Sequence, residues 1–187
     1  MCIDVAARIF SFFIEYLKGN IRDEESVYKT VFKLLGYDVN DKIIAITTSY
    51  FHVNEKFRVF GDVKPCLREL KRKLCKTAIV TSTPRFVFER ILKENSILKY
   101  IDAIITPFEA GVTKPDPRIY LTGVEHLSVP VEDCVYVTDN IYLDSPPLKE
   151  LGIKYILVDR KSRARKPKPS CTIISTLKQI PALLNRM

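Results

Sequence analysis

The sequence predicts an α/β fold with a Rossmann-like, doubly wound parallel sheet, preceded by an all-helical segment. From residue 61 onward, short apolar and β-branched runs alternate with helical patterns, which is typical of parallel strands joined by crossover helices. Before residue 61 the apolar residues recur at helical spacing instead. A third observation is the buried-strand pattern of Val135–Thr138, which ends abruptly near two carboxylates. We therefore expect a helical domain over residues 1–60 and an α/β domain over residues 61–187.

The helical domain is predicted to contain helices over residues 1–18, 23–35 and 39–51. Gly19-Asn20 and Gly36 follow the first two apolar stripes, and glycine commonly ends a helix. The third helix crosses a β-branched stretch at residues 43–48, where helix propensity is lower.

The α/β domain is predicted from alternating short elements. Strands are expected over residues 77–80, 100–105, 135–138, 154–158 and 171–174. Helices are expected over residues 65–73 and 84–94, from Pro117 onward, over residues 148–151, and at the C-terminus. Asp116 is placed to cap the helix that Pro117 begins, because aspartate favours the N-cap and proline the first turn.

The composition is that of an ordinary globular protein, with 47% hydrophobic residues in a chain of 187. No run of about 18 apolar residues occurs, so no membrane span is expected. The first residues lack the basic start of a secretory signal, which favours a cytoplasmic location. The five cysteines are odd in number and widely spaced, which favours inert thiols over disulfides or a zinc site.

The formal charge of +8 permits binding to polyanions, but much of it lies in the basic run of residues 160–169. A basic run with two prolines is usually a solvated loop, which is the reading we favour. A nucleic-acid-associated protein acting through this run remains an alternative, although no aromatic residue interleaves it to stack on bases.

Three predicted turns carry side chains suited to a phosphate group and a divalent cation. Thr81 and Ser82 follow a strand and precede a helix, so hydroxyls and backbone amides would meet there and could bind an oxyanion. Lys114 lies on a turn before Pro115 and could neutralise clustered negative charge. The alternatives are that Ser82 or Thr83 only caps the helix, and that Lys114 is a solvated surface lysine.

Asp139 and Asp144 supply the hard oxygen ligands that Mg²⁺ prefers, at the strand end where open α/β sheets bind ligands. A carboxylate that ends a buried strand needs a partner, which favours a functional role for Asp139. Asp144 could instead cap the turn at Ser145-Pro146-Pro147.

Taken in order, these segments resemble the second, third and fourth motifs of the haloacid dehalogenase-like (HAD) superfamily of phosphohydrolases. The matching segments are Ala78–Thr81, Gly111–Pro117 and Val137–Asp144, and residues 1–60 resemble the helical cap of one branch, which includes phosphoglycolate phosphatases and dehalogenases. The resemblance implies that Thr81 binds the phosphate of a small phosphorylated molecule and that Lys114 holds the charge cluster. It also implies that Asp139 coordinates Mg²⁺ with assistance from Asp144.

One motif of the superfamily has no clear counterpart. The first motif, Asp-x-Asp-Gly-Thr, supplies the nucleophile and the general acid/base, and its nearest match is Asp4–Arg8, with Ala6 at the second carboxylate position. Thr138 also replaces a glycine of the fourth motif. The strand before the first motif would lie between the strands that end at Thr81 and Asp139, so its loss would leave two unpaired sheet edges. We therefore expect a phosphohydrolase whose chain is N-terminally truncated and inactive alone, or alternatively a non-catalytic protein that binds a phosphorylated ligand.

Overall fold

The computed structural model describes residues 15, 21, 23–54, 59–161 and 171–184. The predicted first helix lies almost entirely outside these residues, as does the Asp4–Arg8 counterpart of the first motif. Residues 162–170 of the basic run are likewise outside the described part.

The other two predicted helices of the N-terminal region are confirmed as α1 (Glu24–Leu34) and α2 (Asp41–Asn54), which pack against each other. Asp23 caps α1 by accepting a hydrogen bond from the Ser26 amide at 2.8 Å, and the Ser26 hydroxyl accepts one from the Asp23 amide. These two bonds satisfy amides that the first turn of a helix leaves unpaired.

The α/β region consists of α3 (Val63–Arg72), β1 (Ala78–Val80), α4 (Arg85–Glu94), β2 (Ala103–Ile105), α5 (Pro107–Ala110), α6 (Pro117–Leu127), β3 (Val135–Thr138), α7 (Ile141–Glu150), β4 (Lys154–Val158), β5 (Thr172–Ile174) and α8 (Ile180–Leu183). Short 3₁₀ turns lie at Leu98–Tyr100, Val131–Asp133 and Leu177–Gln179. Every predicted strand is present, although β2 begins only at Ala103 because residues 98–100 form a 3₁₀ turn.

One predicted helix is much longer than expected. The sequence predicted a short helix over residues 148–151 after a Pro146-Pro147 turn, but α7 begins at Ile141 and includes both prolines. Asn140 starts the helix by accepting a hydrogen bond from the Leu143 amide at 3.2 Å. Pro147 and Leu148 are buried, so packing of this helix outweighs the backbone hydrogen bonds that the prolines remove.

The five strands within the described ranges pair in parallel, as expected for a doubly wound α/β fold, and they form two sheets. β1 pairs with β2, and β4 lies between β3 and β5. Among the described strands, β1 and β3 do not pair with each other. Helix α6 packs against β1 and β2, and Gly123 is so close to β1 that an added methyl group would lie 3.0 Å from Val80 Cγ2. Ile119 and Tyr120 of α6 belong to a core cluster that also contains Ile105 of β2 and Tyr155 of β4, so this cluster joins the two sheets.

The end of β4 is joined to the start of α3 by an ion pair whose carboxylate is buried. Asp62 accepts two hydrogen bonds from the Arg160 guanidinium, at 2.7 and 3.0 Å, and two more from the Thr176 hydroxyl and the Leu177 amide. The Arg160 guanidinium also lies 4.0 Å from the centre of the Phe60 ring. The expectation of a solvated loop is therefore wrong for Arg160, because a carboxylate distant in sequence pairs with it. The bond from Arg160 holds the pKa of Asp62 well below its usual range.

No described helix has the length and apolar character needed to cross a membrane.

We predict that Asp62→Asn lowers the free energy of unfolding at pH 7 by about 2 to 3 kcal/mol, because Arg160 loses its buried partner. Since the pKa of Asp62 is depressed in the folded state, its stabilising effect is present above the pKa of the unfolded chain, about 3.9, and is lost as pH falls below it. The difference between wild type and variant should therefore shrink below about pH 4. Urea unfolding across this pH range measures it.

The matched control is Asp133→Asn, which removes the same charge from an exposed position. An equal loss of stability in both variants would contradict a specific role for the Asp62 cluster.

Candidate functional site

The loop after β1 brings hydroxyl groups to the carboxyl end of the sheet. The Thr81 amide donates to the Ile105 carbonyl at 2.9 Å, which extends the pairing of β1 with β2 by one residue. The Thr81 hydroxyl accepts a hydrogen bond from the Thr83 amide at 3.0 Å. Pro84 is the N-cap of α4, without a side-chain capping bond, so the alternative that Ser82 or Thr83 serves only as a helix cap is wrong.

This loop meets the loop that carries Lys114. The hydroxyl oxygens of Ser82 and Thr113 lie 3.1 Å apart, within hydrogen-bonding distance. The start of α6 fixes the other side of the lysine, because Asp116 caps the helix as predicted and accepts from the Arg118 amide at 2.9 Å. The Arg118 side chain also bonds to Asp116 and lowers its pKa to about 2. The peptide bond between Lys114 and Pro115 is cis.

Lys114 is largely enclosed by protein and not solvated, with 12% of its side chain exposed. Its ammonium donates to the Tyr136 hydroxyl at 2.7 Å and lies 3.3 Å from Asp144 Oδ1. The alternative of a free surface lysine is therefore wrong. The structure brings the predicted lysine and one of the two predicted carboxylates into direct contact.

Asp144 lies in the first turn of α7 and is buried. Its Oδ1 accepts a hydrogen bond from the Tyr120 hydroxyl at 2.5 Å, and its Oδ2 accepts one from the Thr138 hydroxyl. Because Asn140 is the N-cap of α7, Asp144 does not cap the turn that follows it. Both carboxylate oxygens are thus engaged by side chains of the protein.

Asp139 differs from Asp144 in its exposure and in its bonding partners. It follows β3 directly, is exposed, and has no hydrogen-bond or ion-pair partner within the described ranges. The Asn140 amide next to it donates to the Thr138 hydroxyl at 2.9 Å, which fixes the turn. An oxygen of Asp139 is therefore open to a ligand, as a Mg²⁺ ion that binds one or two carboxylates and water requires. The described residues contain no cluster of three or more potential metal ligands.

Three residues of this network were not assigned to the site from the sequence. Tyr120 lies in the apolar stripe (Ile119, Tyr120, Val124 and Leu127) of the helix predicted from Pro117 onward, Tyr136 lies in the strand predicted over residues 135–138, and Thr138 was noted only as a departure from glycine. Burial and the nearby Asp144 raise the pKa values of both tyrosines far above the usual range, so both keep their protons at neutral pH. A hydroxyl within an otherwise apolar stripe is the sequence signal that could have identified Tyr120.

Comparisons with known proteins agree on one family. The sequence profile of the haloacid dehalogenase-like hydrolases matches residues 5–152. The chain is 30% identical over 132 residues to haloacid dehalogenase-like hydrolase domain-containing protein 3 of Danio rerio, covering 70% of this chain and 54% of that protein. It is 26% identical over 136 residues to glyceraldehyde 3-phosphate phosphatase of Methanopyrus kandleri, covering 71% of this chain and 58% of that protein. The chain thus spans little more than half the length of these curated relatives.

A solved structure with the same fold is the HAD phosphatase from Thermococcus onnurineus. It superposes with a TM-score of 0.67 at 27% identity, over 92% of this chain and 77% of that one. The parallel α/β fold predicted from the sequence is thereby confirmed.

We predict that Thr138→Val lowers the free energy of unfolding by about 1 to 2 kcal/mol, because Asp144 Oδ2 loses a buried donor and the Asn140 amide loses its acceptor. Urea unfolding measures the effect. Thr122→Val is the control, since that hydroxyl only bonds back to the Arg118 carbonyl within α6. If the two variants lost the same stability, the Asp144 network would not be the cause.

Proposed function

Because the chain belongs to the haloacid dehalogenase-like hydrolases, we propose that it is part of an enzyme that hydrolyses a small phosphomonoester. The proposed reaction depends on magnesium and passes through an aspartyl-phosphate intermediate. The observation that carries this proposal is the buried contact of Lys114 with Asp144 beside the open carboxylate of Asp139. One of the relatives is named glyceraldehyde 3-phosphate phosphatase, which supports a phosphorylated substrate of this size.

In the proposed reaction an aspartate oxygen attacks phosphorus, the bond from phosphorus to the substrate oxygen breaks, and the leaving alkoxide takes a proton from a general acid to become the alcohol. Water then cleaves the acyl phosphate and regenerates the carboxylate. We assign the attacking group to an Asp-x-Asp motif that precedes residue 1 in a longer form of the protein. No described residue is assigned this role.

The residues of this chain have defined parts in the proposal. Lys114 would attract the phosphoryl oxygens with its ammonium charge, and it is held in place by Asp144. Thr81 and Ser82 would bind a second oxygen at the N-terminal end of α4, where the helix dipole favours an anion. Asp139 would hold Mg²⁺. The ion, when bound, would neutralise negative charge on the phosphoryl group.

We predict that a form carrying the upstream Asp-x-Asp motif releases phosphate from phosphomonoesters only when Mg²⁺ is present. Lys114→Met should lower its kcat/KM by about 10² to 10³, because a buried cation that stabilises the transferring group is removed. Lys149→Met is the control, since Lys149 is exposed on α7. Phosphate release from a panel of sugar and triose phosphates is the measurement, and no turnover by any form would reject the proposed hydrolase.

The assignment of Asp139 makes a prediction that is independent of turnover. Mg²⁺ should raise the thermal midpoint of the wild-type protein by binding to the folded state, and Asp139→Asn should abolish that increase. Asp133→Asn is again the charge-matched control at an exposed position. An equal Mg²⁺ response in all three proteins would place the ion elsewhere.

A second candidate function is a non-catalytic protein that binds a phosphorylated ligand. One observation favours it. Among the described residues, Lys114 lies near the hydroxyl groups of Ser82 and Thr113, but none of these residues is assigned as a nucleophile. This function predicts that phosphate compounds raise the thermal midpoint while the upstream-extended form shows no turnover.

A further inference from the structure

Two of the three N–H groups of the Lys114 ammonium have partners within the protein. One donates to the Tyr136 hydroxyl at 2.7 Å, and another faces Asp144 Oδ1 at 3.3 Å. An ammonium has three donors and no acceptor. Among the described residues no third partner is present, so one N–H is open to a ligand.

Two aromatic rings surround the same ammonium. The Lys114 nitrogen lies 5.3 Å from the ring centre of Tyr136 and 5.7 Å from that of Tyr120. The rings themselves meet edge to face, with their centres 5.2 Å apart at an angle of 68°. Because the ammonium lies 2.7 Å from the Tyr136 hydroxyl but 5.3 Å from that ring's centre, it meets Tyr136 at the hydroxyl end of the ring and not over its face.

The two tyrosine hydroxyls do different things. The Tyr120 hydroxyl donates to Asp144, so it orients the carboxylate that pairs with the lysine. The Tyr136 hydroxyl accepts from Lys114 directly, and it keeps a proton of its own. Of the two, only Tyr136 bonds to the ammonium itself.

We infer that Tyr136 is a positioning residue for Lys114: the Tyr136 hydroxyl holds the ammonium so that the third N–H is directed at a phosphate oxygen of the ligand. This inference deepens the proposed function and rests on it for the identity of the ligand. The hold on the lysine itself is a property of the folded chain and can be tested separately.

The chain offers a matched control at Tyr155. It lies on β4 in direct register with Tyr136 on β3, and it is buried with 7% exposed. Its hydroxyl has no hydrogen-bond partner among the residues whose positions are described, and it belongs to the same apolar core cluster as Tyr120. Tyr155→Phe therefore removes the hydroxyl of a neighbouring buried tyrosine without touching Lys114.

The first experiment measures the hold on Lys114 without any ligand. The 187-residue protein is acetylated briefly with an N-hydroxysuccinimide ester, and the modification of each lysine is followed by peptide mass spectrometry. Lys114 should react slowly in wild type and in Tyr155→Phe, and about tenfold faster in Tyr136→Phe, relative to exposed Lys149. Equal Lys114 rates in wild type and Tyr136→Phe would overturn the inference.

The second experiment measures the consequence for binding, with inorganic phosphate as the probe in calorimetric titration. Tyr136→Phe should weaken phosphate binding about tenfold in the wild-type background and have no further effect in the Lys114→Met background. A merely structural role would weaken binding equally in both backgrounds and would overturn the inference. If wild type binds no phosphate, the proposed function is wrong, and so is the inference that the third N–H of Lys114 is directed at a phosphate oxygen. The acetylation rates would still decide, on their own, whether Tyr136 holds Lys114.

Discussion

The contact between Lys114 and Asp144 is the constraint on which the functional end of this molecule depends. Two opposite charges are buried there, and a buried charge without a partner destabilises a fold by several kcal/mol. The loop before α6, the end of β3 and the first turn of α7 must therefore come together. Hydroxyl groups from Tyr120, Tyr136 and Thr138 complete the bonding of the pair. The ion pair thus fixes the relative positions of three segments that are far apart in the sequence.

Helix α6 connects the parts of this arrangement because it contacts both sheets. It packs against β1 and β2, and its Tyr120 ring meets the Tyr136 ring of β3. Asp116, which lies two residues after Lys114, is the N-cap of this helix and so fixes the backbone that carries the lysine. One turn further along, Tyr120 reaches Asp144 beneath β3, and Gly123 allows close approach to Val80 on β1. A single helix therefore sets the position of the lysine, the orientation of its counter-ion and the distance to the hydroxyl loop.

The sequence was most informative where a signal is local. Apolar periodicity and strand ends placed β1, β3 and α6, and the Asp116-Pro117 pair marked the start of a helix. The sequence was least informative where the partner is distant. Arg160 was assigned to a solvated basic run, yet its carboxylate partner lies 98 residues earlier, and no spacing rule connects them. Tyr120 has the periodicity of a core residue, and only the folded chain shows that its hydroxyl meets Asp144. Helix α7 begins earlier than expected because burial of Pro147 and Leu148 overrides the local preference of proline for a turn.

The carboxylate of Asp62 binds Arg160 on one side of the basic run and Thr176 and Leu177 on the other. It therefore acts as a non-covalent cross-link that closes the intervening stretch of chain at its base. Because one carboxylate holds the residues on both sides of that stretch, a change of chain length between residues 161 and 171 should leave β4, β5 and the site at the ends of β1 and β3 in place.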